Sequence, residues 1–173
     1  MARLSYLEKD KANPEQEKIL AQVTQKSGKI ANIWKLWAHS PLTLETFMPF
    51  NKALMMKGSL DGKLRELAYI KTSLINDCAY CANAHKTAGL RAGVTEQQLQ
   101  EIDRYADSSA FSPVEKLVLR YAEELTRNIQ TGDDLMKQLK EHLTEAQIVE
   151  LNLTVGLANL TNRFNVSLAT DPD

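Results

Sequence analysis

Apolar residues recur three and four positions apart along almost the whole of this 173-residue chain. That spacing places them on one face of an α-helix, whereas a half-buried strand would show strict alternation, and runs of alternating Val, Ile and Thr are absent. The chain is long enough for one domain with a substantial core, and no linker or low-complexity tract divides it. We therefore predict an all-α protein, a single-domain helical bundle that spans residues 1–173.

Capping residues, prolines and glycines set the limits of the predicted helices. These run from Pro14 through Lys26, with Gly28 beyond the end; from a cap at Asn32 through Trp37; from Pro41 to Lys57; from a cap at Ser59 or Asp61 to Ile75; from Cys78 to about Arg91, with Gly93 as the stop; from a cap at Thr95; from Ser112 or Pro113; from Asp133 to His142; and from a cap at Thr144 to about Val166.

The charge and hydropathy of the chain exclude several classes of partner. Lysine plus arginine number 21 and aspartate plus glutamate 22, so no basic surface is indicated and we expect no nucleic-acid partner. No apolar run approaches the roughly 18 residues that span a bilayer, so we expect no membrane partner. The first residues contain no apolar segment typical of a secretory signal. The sequence therefore favours a cytoplasmic protein, in a compartment where thiols are kept reduced.

The segment NDCAYCANAHKTAGL contains the only two cysteines, Cys78 and Cys81, and also His85. At the start of a helix the two cysteines lie three residues apart on one face, close enough for their sulfurs to join with modest adjustment. The first helical turn stabilises a thiolate, because it presents free N–H groups and the positive end of the helix dipole. His85, one turn further along the same face, can exchange protons with a thiol near neutral pH.

Glu66 lies on the preceding helix, followed by the apolar Leu67 and Ala68. If the two helices pair antiparallel around Asn76 and Asp77, Glu66 faces the helix that carries Cys81 and His85. A carboxylate in a partly apolar place of this kind can serve as a base or a proton store.

The residues alone leave three readings of the cysteine pair open. It can be a redox pair, part of a zinc site completed by His85 and Glu66, or two inert core cysteines. A thioredoxin-like domain is disfavoured, because that fold needs strands around its C-x-x-C motif and helices surround this one. His39 and His142 lie far from the motif, so we predict them at the surface and predict neither a metal ion nor a cofactor.

The longer segment RELAYIKTSLINDCAYCANAHKTAGLRAGVT resembles the core of the alkylhydroperoxidase D-like family, within the carboxymuconolactone decarboxylase superfamily. That core reads as Glu, eleven residues, Cys-x-x-Cys, three residues, His, and this chain matches it at Glu66, Cys78, Cys81 and His85. The flanking segment KIANIWKLWAHSP is similar to the family's segment before the core, and LANLTNRFNVSL is similar to the closing helix of its longer peroxidase-related members. We place the C-x-x-C core at about residues 59–93.

The resemblance implies an all-helical subunit that assembles into a homo-oligomer, as a dimer, trimer or hexamer. It also implies a cysteine-based peroxidase, in which Cys81 attacks the peroxide as a thiolate and Cys78 resolves the product to a disulfide. Glu66 and His85 then form the proton relay. The implied partners are a hydroperoxide substrate and a dithiol reductant whose identity the sequence does not give.

The chain departs from the best-known peroxidases of this family at one position. They carry a histidine just before the second cysteine, where this chain has Tyr80. Tyr80 can donate a hydrogen bond to peroxide or thiolate, but a phenol, with a pKa of about 10, is a poor base. Two alternatives remain beside the peroxidase: a carboxymuconolactone decarboxylase-like lyase, and a non-enzymatic redox- or metal-responsive oligomer.

Overall fold

The computed structural model describes residues 1–24 and 28–173, and all regular secondary structure within these ranges is helical, as predicted. The α-helices are α1 (Pro14–Val23), α2 (Asn32–Trp37), α3 (Pro41–Lys57), α4 (Gly62–Ile75), α5 (Ala79–Arg91), α6 (Glu96–Glu101), α7 (Pro113–Asn128), α8 (Asp133–Lys140) and α9 (Glu145–Leu168). Short 3₁₀ turns occupy Lys9–Lys11 and Ile102–Arg104.

Local sequence signals start several of these helices. In a capping box, the first residue and the residue three positions later each bond the other's backbone N–H, which satisfies donors that a helix end leaves free. The structure contains this arrangement at four helix starts: Asn13 with Gln16, Thr95 with Gln98, Ser112 with Glu115, and Thr144 with Gln147. The boxes at Thr95 and Thr144 confirm the predicted caps.

The predicted boundaries differ from the structure at a few ends. Asn32 is not a cap, since Ala31 takes that position without a side-chain bond and the Asn32 amide donates instead to the carbonyls of Asp171 and Pro172. The helix predicted to reach His142 ends at Lys140. The predicted end of the first helix at Lys26 lies outside the described residues.

Helix α4 lies at the centre of the fold. It packs against α5, α7 and α9, and ten consecutive residues, from Leu64 to Ser73, are buried. Its Leu64 and Ala68 join the apolar cluster formed with α7, α8 and α9, while Tyr69 packs into a second cluster that contains both cysteines. Every side chain on this stretch is therefore held by neighbours, including the polar ones.

A tight turn reverses the chain between α4 and α5. Asp77 adopts a left-handed conformation with φ of 52°, and the Cys78 N–H donates to the Ser73 carbonyl at 2.9 Å. Gly89 permits the two helices to approach closely, because a β-carbon there would lie 3.1 Å from the end of the Ile70 side chain. The result is a helical hairpin that presents one face of α5 to the first turns of α4.

Glu150 ties α9 to the start of α4. One carboxylate oxygen accepts from the Ser59 N–H at 3.0 Å and the other from the Leu60 N–H at 2.6 Å. Burial alone would raise the pKa of this carboxyl, but the hydrogen bonds from Ser59 and Leu60, with the charge of Arg65, outweigh it and lower the pKa. The folded state therefore favours the ionised carboxylate.

Replacing Glu150 by alanine is expected to lower the free energy of unfolding by about 1 kcal/mol at neutral pH, because two backbone donors lose their acceptor. A lowered pKa in the folded state means that this contribution is present above the unfolded-state pKa and is lost as the pH falls through the folded-state pKa. Urea denaturation at several pH values should therefore show the difference from wild type shrinking toward acid pH. Glu141→Ala removes an exposed carboxylate and serves as the control. A difference that stays constant with pH would contradict the assignment.

Candidate active site

The two cysteines lie at the start of α5 and are joined to each other as a disulfide, with their Cα atoms 5.3 Å apart. Cys78 is the N-cap residue, and its sulfur accepts the Cys81 N–H at 3.4 Å. Both residues are almost completely buried, at 2% and 3% exposure. The pair is thus preorganised at the end of a helix where a thiolate is stabilised.

Glu66 and His85 meet across the hairpin. The Glu66 carboxylate lies 2.7 Å from Nδ1 of His85, and Glu66 as a residue is 7% exposed. The His85 ring stacks on the Tyr69 ring, with their centroids 3.4 Å apart. These contacts fix the imidazole, so that Nε2 is the ring nitrogen left for a reacting group.

Tyr69 supports the imidazole as a neutral phenol. Burial raises its pKa to about 12; a hydrogen bond with Thr161 acts in the opposite direction, and the charge of Glu66 raises the pKa further. The hydroxyl lies 2.5 Å from Oγ1 of Thr161 on α9. Tyr69 therefore keeps its proton at neutral pH and links α4, α5 and α9 beside the sulfur pair.

Helix α9 supplies groups that the sequence reasoning missed. The side-chain amide of Asn165 donates to the Cys81 sulfur at 3.3 Å, and the Thr161 carbonyl lies 4.0 Å from the same sulfur. Both residues are buried. The available signal was the helical spacing of Thr161 and Asn165 with Ala158, which places polar side chains on the stripe of α9 that faces the core.

Tyr80 is engaged with the C-terminal segment rather than with the sulfurs. Its hydroxyl donates to the Asp173 carboxylate at 2.8 Å and accepts from the Ile33 N–H at 3.5 Å. Burial, followed by the hydrogen bond and the charge of Asp173, raises the pKa of Tyr80 well above its ordinary value. The phenol stays protonated, and in this structure its proton points to a carboxylate at the edge of the site.

A cavity of about 400 Å³ connects these groups. Its polar lining residues include Glu66, His85, Cys81, Thr161 and Asn165. Its apolar and aromatic lining residues include Ile33, Trp34, Met55, Met56, Tyr69 and Tyr80. Cys78 lines a separate cavity of about 180 Å³ together with Ser73, Leu74, Asp77, Ala79 and Ala82.

The remaining histidines lie outside the site. His39 and His142 are exposed, and His39 bonds the Ser5 carbonyl. Within residues 1–24 and 28–173, no group of three or more His, Cys, Asp or Glu side chains is arranged to hold a metal ion. In the same residues, no helix has both the length and the apolar character needed to cross a membrane.

A family model and several known proteins match this chain. The model of the carboxymuconolactone decarboxylase family matches residues 41–124. The uncharacterized protein YdfG of Bacillus subtilis (strain 168) is 30% identical over 114 residues, which cover 65% of this chain and 78% of that protein.

Two solved structures share the fold. An uncharacterized peroxidase-related protein from Ralstonia eutropha JMP134, described as an alkylhydroperoxidase AhpD core, gives a TM-score of 0.86 at 22% identity, over 99% of this chain and 92% of that one. The debrominase Bmp8, solved as a cysteine-to-alanine variant with 2,3,4-tribromopyrrole, gives a TM-score of 0.82 at 15% identity, over 100% and 94%.

This chain belongs to the carboxymuconolactone decarboxylase family. Its helical fold is that of the alkylhydroperoxidase D-like core. The cysteine pair, with Glu66 and His85, lies inside the matched residues.

Proposed function

We propose that this protein is a cysteine-based peroxidase that reduces hydroperoxides through a cycle between the Cys78–Cys81 dithiol and its disulfide. The observation that carries the proposal is a single cavity, which Cys81 lines together with the hydrogen-bonded pair of Glu66 and His85. A nucleophile and a base held by a third group form the arrangement that activates a thiol. The apolar residues that line the same cavity suit the alkyl part of an organic hydroperoxide.

In the first step, the Cys81 thiol loses its proton to His85, and Glu66 stabilises the imidazolium that forms. The thiolate attacks the hydroxyl oxygen of the hydroperoxide, and the O–O bond breaks. Cys81 becomes a sulfenic acid, and the leaving alkoxide takes the proton from His85 and departs as an alcohol. The sulfur is oxidised by two electrons, and the peroxide is reduced by two.

In the second step, the Cys78 thiolate attacks the Cys81 sulfur, and the hydroxyl group leaves as water with the proton of the Cys78 thiol. This produces the disulfide seen in the structure. An external dithiol then attacks the disulfide, becomes a disulfide itself and returns both protein thiols. Since this cycle needs a dithiol kept reduced, we infer a cytoplasmic location.

The roles of the two cysteines follow from their surroundings. Cys81 lines the cavity that holds Glu66 and His85, and Asn165 donates to its sulfur. Cys78 lines the other, smaller cavity. We therefore assign attack on peroxide to Cys81 and resolution to Cys78.

A second candidate is the reductive removal of halogen from an aromatic substrate. It is favoured by three aromatic residues that line the cavity, Trp34, Tyr69 and Tyr80, and by the fold shared with the debrominase Bmp8. A lyase that acts on a carboxylic acid is less well supported. Among the described residues that line the cavity, Glu66 and Asp173 bring negative charge and no lysine or arginine is present.

We also propose that the protein forms a homo-oligomer through α9. Val149, Leu153 and Leu160 recur at helical spacing on one face of that helix, and each is between 40% and 58% exposed. A row of large apolar side chains exposed to water is unfavourable in free energy and is typical of a surface that pairs with another subunit. A second copy of this chain presents the same row, as a symmetric interface requires.

Cys81→Ser should lower the rate of cumene hydroperoxide consumption by roughly a thousandfold or more, because a hydroxyl is a poor nucleophile at its own pKa. Stopped-flow measurements on the reduced protein give this rate. Cys78→Ser is the control: it should consume one equivalent, stop, and leave a sulfenic acid on Cys81 that a dimedone adduct reports by mass spectrometry. The opposite behaviour of the two variants would reverse the assigned roles. Turnover of a bromopyrrole but not of hydroperoxide would select the second candidate.

Glu66→Gln should slow Cys81 oxidation on the order of a hundredfold at neutral pH, because the amide keeps the size of the side chain but cannot stabilise an imidazolium. Glu115→Gln is the matched control, since Glu115 is equally buried but bonds Lys63 and Gln98, away from the sulfurs. Circular dichroism checks that both variants keep their helices. Equal oxidation rates in wild type and Glu66→Gln would remove Glu66 from the mechanism.

Leu153→Lys should shift the protein from an oligomer toward the mass of one chain, because it places a charge in the centre of the apolar row. Size-exclusion chromatography with light scattering measures that mass. Ile129→Lys changes an isolated exposed apolar residue after α7 and should leave the mass unchanged. A wild-type protein that is already monomeric would contradict the proposed interface.

A further inference from the structure

Asn165 has one satisfied and one unsatisfied end. The residue is 3% exposed, and its Nδ2 donates to the Cys81 sulfur at 3.3 Å. Its Oδ1 is buried and has no hydrogen-bond partner among the described residues. Buried side-chain oxygens are nearly always paired, so an unpaired one calls for a physical reason.

The position of Asn165 supplies a reason. The residue lines the 400 Å³ cavity together with Cys81 and His85, so it is among the residues that surround a substrate bound there. An amide oxygen accepts hydrogen bonds only, and its missing partner is therefore a donor. A hydroperoxide brings one such donor, the hydrogen of its O–O–H group.

We propose that Asn165 is a catalytic residue that holds both reactants, with Nδ2 donating to the Cys81 thiolate and Oδ1 accepting from the hydroxyl group of the hydroperoxide. This inference rests on the proposed peroxidase function and adds a residue to its site. The two ends of an amide lie side by side, so the groups they bind also lie side by side. The sulfur and the hydroxyl oxygen are thereby placed near the roughly 3–3.5 Å separation from which a bond can form.

Binding of the hydroperoxide by Asn165 leaves the atoms and protons of the Cys81 reaction unchanged. The hydroxyl oxygen held by Asn165 is the atom that the thiolate attacks, and it stays on the sulfur with its hydrogen as the sulfenic acid. The other peroxide oxygen leaves as the alkoxide and takes its proton from His85. Asn165 neither gains nor loses a proton.

Hydrogen bonds anchor the end of α9 that carries Asn165. Its backbone carbonyl accepts the Thr170 N–H at 3.0 Å, beyond the end of α9. One turn earlier, Thr161 is held by the Tyr69 hydroxyl from α4. The titratable groups that line the cavity beside Cys81 are Glu66 and Tyr69 from α4, His85 and Tyr80 from α5, and Asp173 from the C-terminal segment.

The same helix offers a matched control. Asn162 is fully buried, donates to Ser73 at 3.1 Å and accepts from Asn76 at 3.0 Å. Its side chain is engaged with the end of α4 rather than with a sulfur. Replacing it removes a buried amide from α9 without removing a donor to Cys81.

The test uses the full chain with Cys78→Ser, so that Cys81 is the one thiol. The ultraviolet absorbance of the thiolate is followed against pH in this protein and in versions that also carry Asn165→Leu, Asn165→Asp or Asn162→Leu. We expect the pH midpoint of the Cys81 thiolate titration to rise by about one pH unit in Asn165→Leu, because the thiolate loses a hydrogen-bond donor. Asn165→Asp should raise it further, since it adds a negative charge, and Asn162→Leu should leave it unchanged.

The rate of cumene hydroperoxide consumption tests the role of Asn165 Oδ1. It is measured at a pH above the thiolate-titration midpoint of every variant, where Cys81 is fully ionised. Asn165→Leu should still react on the order of tenfold more slowly than the Cys78→Ser parent, because the acceptor for the hydroperoxide is absent. Equal rates there would overturn the role of Oδ1.

Other outcomes separate this inference from the peroxidase proposal. A midpoint equal to that of the parent, in an Asn165→Leu or Asn165→Asp protein with unchanged circular dichroism, overturns the inference even if hydroperoxide is consumed. An equal shift in Asn162→Leu overturns it as well, since packing alone would then explain the effect. A shifted midpoint in a protein that consumes no hydroperoxide supports the bond to the thiolate and overturns the peroxidase.

Discussion

The burial of α4 on all sides is the constraint on which the rest of the structure depends. A helix covered by α5, α7 and α9 cannot turn about its axis without breaking the close packing of its side chains against all three neighbours, so each of its side chains has a fixed direction. Glu66 is thereby aimed at α5, and Tyr69 is held between the imidazole of His85 and the hydroxyl of Thr161. The polar side of the site is set by packing that extends through the whole bundle.

Much of this arrangement is local and could be predicted from the sequence. Local sequence determines the cap at Asp61, the turn at Asn76 and Asp77, and the helix that follows. Together these elements form a hairpin. Once the hairpin is assumed, Glu66 and His85 fall on facing sides, and the structure brings them to 2.7 Å. The helix predicted to start at Cys78 starts one residue later, at Ala79, because Asp77 takes the left-handed conformation and leaves Cys78 as the cap.

The contributions of distant segments could not be predicted in the same way. Asn165 lies 84 positions from Cys81, and Asp173 lies 93 positions from Tyr80. Nothing in the local pattern of α9 says which helix its polar residues meet, since that depends on how all the helices pack. The sequence predicts the phenol of Tyr80 as a donor to peroxide or thiolate, and it could not show that in this structure the phenol donates to the carboxylate of Asp173.

The position of Cys78 as the cap of α5 affects how substitutions in this segment should be interpreted. Its sulfur accepts the Cys81 N–H, a role that a serine hydroxyl fills as well and that an alanine methyl group cannot fill. Alanine at this position would remove the thiol and at the same time loosen the first turn of the helix, so any loss of the proposed activity would have two causes. Serine separates the two causes, because it removes the thiol chemistry while the beginning of the helix stays in place.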